Sequence, residues 1–91
     1  MTIYVDPLMS FLRNKKWNHN KSCRLVADTL EELHSFAAST GMNMLWFQVG
    51  SSFPHYDLTE GMRSKAVKAG AVEISIRELA YKMRASRKAR N

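Results

Sequence analysis

Apolar and polar positions alternate over residues 2–5, where Ile3 and Val5 are set against Thr2 and Tyr4, and Asp6-Pro7 stops the run. A period of two with β-branched and aromatic residues predicts a short first strand with Asp6 at its carboxyl end. From residue 8 to residue 21 the alternation breaks, and polar and basic residues surround Met9, Phe11, Leu12 and Trp17. A long loop is expected there, with one helical turn near Phe11. Residues 24–27 are a second strand, and Thr29-Leu30-Glu31-Glu32 is a capping box that opens a first helix. Leu30, Leu33, Phe36 and Ala37 form the apolar stripe of that helix, and Gly41 suits the left-handed position that closes it.

Residues 44–49 are apolar at nearly every position, which predicts a third strand buried on both faces. Residues 50–54 are turn-rich and lead through His55-Tyr56-Asp57-Leu58-Thr59-Glu60 into a second helix ending near Ala69, capped by either Asp57 or Thr59. Gly70 ends it. Residues 71–75 are a fourth strand, and Ser75-Ile76-Arg77-Glu78 is a second capping box, opening a third helix with Ile76, Leu79, Ala80 and Met83 on one face. The order is β-loop-β-α-β-α-β-α. Each strand-helix-strand step favours a parallel pair, so the expected fold class is α/β, with a mostly parallel four-stranded sheet and three helices.

Composition narrows the class. A chain of 91 residues has room for one core, so residues 1–91 are expected to form a single domain, with a basic helix end or tail over 82–91. At 45% hydrophobic residues it can fold without metal or disulfide staples, as a monomer or a homodimer. The lone Cys23 has no internal partner, and no segment reads as a signal peptide or membrane span. A cytoplasmic protein with no membrane partner is expected.

Fourteen Lys and Arg against eight Asp and Glu give a formal charge of +6, which favours anionic partners. The cations fall into three groups: Arg13, Lys15, Lys16, Lys21 and Arg24 in and after the long loop; Arg63, Lys65 and Lys68 on the second helix; and Lys82, Arg84, Arg87, Lys88 and Arg90 towards the end. Trp17, inside the first group, offers a ring on which a base can stack. The leading expectation is a non-catalytic module that binds nucleic acid or another polyanion, and no cofactor is expected with it. The plain alternative is that these cations keep helix faces soluble and that Trp17 lies in the core.

Asp6, Asp28 and Asp57 are the acids of interest. If the strands they follow all ran parallel, their carboxylates and His55 would meet at the carboxyl edge of the sheet and hold Mg²⁺ or Mn²⁺ for phosphoester hydrolysis. The commoner use of such residues is capping and turn chemistry. His34 beside the helix stripe and His19 in the loop show no metal-binding spacing, and no serine or cysteine has the setting of a nucleophile. No metal site is therefore assigned. A third possibility, an inhibitor that docks on a host protein, fits the charge if the target is acidic.

Taken in order, Tyr4-Val5-Asp6, Leu25-Val26-Ala27-Asp28-Thr29, Glu32-Leu33-His34, Trp46-Phe47, His55-Tyr56-Asp57, Gly70-Ala71-Val72-Glu73-Ile74 and Arg77-Glu78-Leu79 resemble the small bacterial and phage family called domain of unknown function four-zero-three-one. The resemblance spans nearly the whole chain. It implies a complete chain of phage or prophage type, with no assigned activity, and it draws attention to His55, Tyr56 and Asp57; these three and Arg63 are the ligand-binding candidates. Members of that family often carry a histidine where this sequence has Arg24.

Overall fold

A computed structural model describes residues 2–10, 21–48 and 54–90, without the side chains of residues 85–90. The elements are β1 (Ile3–Val5), β2 (Met9–Ser10), β3 (Lys21–Ala27), α1 (Leu30–Ser39), a 3-10 turn (Met44–Trp46), β4 (Phe47–Gln48), β5 (His55–Leu58), α2 (Glu60–Lys68), β6 (Val72–Glu73) and α3 (Ile76–Arg90).

The helix starts follow local chemistry. Thr29 Oγ1 accepts the Glu32 N–H at 3.2 Å and donates to Glu32 Oε1, while Ser75 Oγ accepts the Glu78 N–H at 3.0 Å and the Ser75 N–H donates to Glu78 Oε1. Both capping boxes are formed. Gly41 has φ +74°, the left-handed conformation that a side chain would strain. Between the two candidate caps of α2, Thr59 does the work: its Oγ1 accepts the Met62 N–H at 3.2 Å.

The sheet has six strands in the order β4-β5-β3-β1-β6, with β2 paired to β3. It is mixed. Among these neighbours only β1 and β6 are parallel, and the other pairings are antiparallel. The expected four-stranded, mostly parallel sheet is therefore wrong. The handedness argument holds for direction and fails for adjacency: β3 and β4, joined through α1, point the same way but have β5 between them. Likewise β5 and β6, joined through α2, point the same way with β3 and β1 between them.

Two of the expected elements change. Residues 44–49 do not form a doubly buried strand: Met44–Trp46 is a 3-10 turn, only Phe47–Gln48 is extended, and Leu45 is 87% exposed. An apolar run is weak evidence of burial, because much of any folded surface is apolar. The central strand is β3, between β5 and β1, and residues 55–58, expected as a loop leading into a helix, are β5. The fourth strand shrinks from residues 71–75 to Val72–Glu73. Of the expected long loop, residues 11–20 lie outside the described residues, including the helical turn proposed near Phe11.

Strand alternation sorts side chains onto two faces. Val5, Cys23, Leu25, Tyr56 and Leu58 are buried on one face with Leu33 and Ala37 of α1 and Ala66 of α2. On the other, Val26 and Tyr4 pack with Ile74, Leu79 and Met83, so α3 covers that half of the face. Asp6, Arg24, His55 and Asp57 alternate onto the same face as Tyr4 and Val26, on the half that α3 leaves open.

Candidate functional site: a polar cleft beside a strand bulge

Between β1 and β2 the pairing with β3 slips by one. Val5 faces Leu25 while Met9 faces Ser22, so four steps along one strand span three along the other. One extra residue in an antiparallel pair is a β-bulge, a device that re-aims side chains. Pro7, which has no N–H to donate, lies within it.

The bulge redistributes the hydrogen bonds of Asp6. Its N–H still donates to the Arg24 carbonyl at 3.2 Å, but the return bond from the Arg24 N–H goes to the carboxylate, Asp6 Oδ1, at 2.6 Å. Arg24 Nε donates to the other oxygen, Oδ2, at 3.0 Å. The carbonyl of Asp6, released from the ladder, accepts Arg63 Nε at 3.0 Å, and Arg63 Nη1 donates to Glu73 Oε1 at 2.9 Å. Asp6 is 1% exposed, and each of its carboxylate oxygens has a donor, as a buried charge requires. Arg63 thus ties α2 to β1 and β6.

A cavity of about 300 Å³ opens over this half of the sheet, lined by Asp6, Met9, Ser22, Arg24, His55 and Asp57 among others. The His55 and Asp57 side chains, two residues apart on β5, lie side by side on its wall, 3.3 Å from Nε2 to Oδ1. Tyr56, between them in sequence, points to the opposite face. There it is fully buried, its hydroxyl lies 2.8 Å from His34 Nδ1 and 3.2 Å from Met44 Sδ, and burial pushes its phenol pKa up. His55-Tyr56-Asp57 is therefore two residues of a cleft around one of the core.

The arrangement that would gather three aspartates does not form. β1 and β3 are antiparallel, so their carboxyl ends lie at opposite edges. Asp28 is four residues beyond Arg24 along β3, about 13 Å at ~3.3 Å per residue, and accepts from the Tyr4 hydroxyl at 3.4 Å. Among the described residues no group of three or more His, Cys, Asp and Glu is placed to hold a metal ion.

A family model described as a protein of unknown function (DUF4031) matches residues 3–86. The chain belongs to the DUF4031 family. No curated protein and no solved structure matches it. The family description carries no activity, so the chemistry of this DUF4031 chain rests on its own residues. No helix among the described residues is long and apolar enough to cross a membrane.

The sequence-derived cations of the DUF4031 chain divide into committed and free. Arg24 and Arg63 hold carboxylates, Lys21 lies 3.9 Å from Glu60, and the Lys82 ammonium sits 4.0 Å above the Tyr4 ring. Lys65, Lys68, Arg77 and Arg84 are exposed and have no carboxylate within ion-pair distance among the described residues. Arg13, Lys15, Lys16 and Trp17 lie outside the described residues, as do the side chains of Arg87 and Lys88. Tyr81, 73% exposed on α3, was missed by composition; its spacing from Arg77 and Arg84 was the available signal.

Cys23 borders the cleft, and its thiol is buried. Burial, with the negative charge of Asp6 nearby, raises its pKa from 9.0 to about 12. The native thiol is expected to ignore disulfide reagents at pH 8 and to react on unfolding. Because the folded state keeps the proton that the unfolded chain loses, this group's contribution to stability should fall as pH rises from about 9 towards 12. Thiol titration with and without urea, and urea melts across that window, check both.

Proposed function

We propose that the chain is a non-catalytic nucleic-acid-binding module whose main contact surface is the outer face of α3. The supporting observation is the stripe Arg77, Tyr81, Arg84. Spacings of four and three residues place the three on one side of a helix, with an exposed ring between two guanidiniums that have no carboxylate partner among the described residues. Guanidiniums flanking an aromatic ring match a strand that offers phosphates and π-faces together. Positions 87 and 88 continue the same helical spacing with Arg and Lys.

The remaining charge pattern agrees. Asp6, Asp57, Glu60 and Glu73 each lie within 4 Å of a basic group, whereas Lys65, Lys68, Arg77 and Arg84, exposed on helices, have no carboxylate within ion-pair distance among the described residues. Ser10 and Lys21, the residues on either side of the segment that carries Arg13, Lys15 and Lys16, are paired with each other. A phage or prophage accessory role is compatible with such a module.

Fluorescence anisotropy with labelled single-stranded and duplex DNA and RNA at two salt concentrations tests the reading. Affinity should fall steeply with salt, since each neutralised phosphate releases counterions. Tyr81→Ala should weaken single-strand binding by about 1–3 kcal/mol, and Arg77→Ala or Arg84→Ala should lower the salt slope by about one each. Absence of salt-sensitive binding to any of the four probes would overturn the proposal.

A further inference from the structure

We infer that the cleft of Asp6, Arg24, His55 and Asp57 is a nucleobase pocket, and that it selects bases carrying an exocyclic amine. The inference builds on the nucleic-acid reading and assigns a site where sequence could be read.

Charge argues against a phosphate in this cleft. The guanidinium of Arg24 is answered by the buried carboxylate of Asp6, and Asp57 brings a second negative charge to the same wall. A dianion entering would meet two carboxylates for one arginine. A metal ion is not favoured either, since among the described residues no three His, Cys, Asp or Glu side chains are grouped to hold one. What the walls offer is both halves of a hydrogen-bond code. Asp57, with its side chain 28% exposed, directs Oδ1 to His55 and leaves Oδ2 without a protein partner among the described residues. The two terminal nitrogens of Arg24, whose side chain is 34% exposed and held in place through Nε, likewise have no protein acceptor there. A carboxylate only accepts and a guanidinium only donates. The matching ligand is neutral and planar and carries donors and acceptors side by side, which describes a base edge.

Size and surroundings agree. A cavity of about 300 Å³ lies at the lower end of small-ligand sites. The half-exposed thioether of Met9 on its rim supplies a polarisable surface for a ring, and the Ser22 hydroxyl can give or take a hydrogen bond. The free oxygen of Asp57 sets the preference. Cytosine, adenine and guanine each bring an amine to it, whereas the single edge N–H of uracil is flanked by two carbonyl oxygens that the carboxylate repels.

The test is an NMR titration of the full chain with CMP, AMP, GMP and UMP, which share a phosphate and differ in base. The three amine-bearing nucleotides should bind at least about tenfold more tightly than UMP, the value of one lost hydrogen bond to a charged group, with shifts centred on Arg24 and Asp57. Asp57→Asn, whose amide can both donate and accept, should bring UMP to within about threefold of CMP. Tyr81→Ala should leave the ranking intact while weakening oligonucleotides. Equal binding of all four, or none, in the wild-type chain would overturn the pocket whatever oligonucleotides do. The expected ranking in a chain that ignores every oligonucleotide would instead uphold the pocket and overturn the α3 reading.

Discussion

Replacing Tyr56 with alanine is expected to remove about 3–5 kcal/mol of stability, a large share of the roughly 5–15 kcal/mol typical of a domain. The ring is fully buried at the centre of the larger core, where it packs against Phe47 with centroids 5.2 Å apart and against His34 at 5.8 Å. The strand on each side depends on it: Tyr56 is the cross-strand partner of Leu25 on β3 and of Phe47 on β4. Tyr56→Phe separates the hydroxyl from the ring. It should cost only about 1 kcal/mol, the net value of one hydrogen bond, because His34 is partly exposed and can turn to water. Urea denaturation followed by tryptophan fluorescence measures both. A loss of less than 1 kcal/mol for the alanine variant would show that β5 is not seated as described.

That residue also shows where sequence reasoning reached and where it stopped. His55-Tyr56-Asp57-Leu58 alternates with a period of two, the signature of a half-buried strand, yet the same four letters contain an aspartate three residues before a glutamate. Of the two caps that the sequence offered, Thr59 is the one used, because it stands two residues nearer the helix than Asp57 and its hydroxyl accepts the Met62 N–H. Capping at residues 29 and 75 was legible because the chemistry is local, involving a side chain and the N–H three residues on. Sheet order was not, because it depends on which distant strand slips between the two ends of a crossover. Met44 and Leu45 misled for a third reason: apolar residues at a sheet edge look the same in sequence as apolar residues at its centre.

The candidate site was half legible. His55 and Asp57 were singled out as ligand-binding and catalytic candidates, Arg24 as a nucleic-acid contact and Asp6 as a catalytic candidate, but the feature that unites them was invisible. A bulge adds one residue to one strand, and no local pattern in Asp6-Pro7-Leu8 distinguishes an extra residue from a strand end. Without it, Asp6 reads as the last residue of a strand, free to point at a ligand. With it, the carboxylate turns inward and becomes the acceptor for a neighbouring strand's N–H.

Asp6→Ala should therefore act as a core lesion, although it deletes only a carboxylate. Breaking a buried pair by removing one partner typically costs about 3–5 kcal/mol. Arg24 is a third exposed and can recover some hydration, so the lower end, about 3 kcal/mol, is expected. The Arg24 N–H, 2.6 Å from Asp6 Oδ1, is left without its acceptor. Asp6→Asn keeps one oxygen for that N–H and loses the charge, so it should fall between wild type and alanine. Arg24→Ala strands the opposite charge on a residue 1% exposed, and its cost should match or exceed that of Asp6→Ala. The double variant then decides the matter. If carboxylate and guanidinium work as a pair, removing both should cost at least about 1 kcal/mol less than the two single losses added together. Strict additivity would mean that Asp6 supports the bulge through backbone contacts alone. In that case Arg24 would not be fixed by Asp6, and the base ranking expected of the cleft should survive Asp6→Asn; with the pair intact as the organising contact, the ranking should be lost along with the stability.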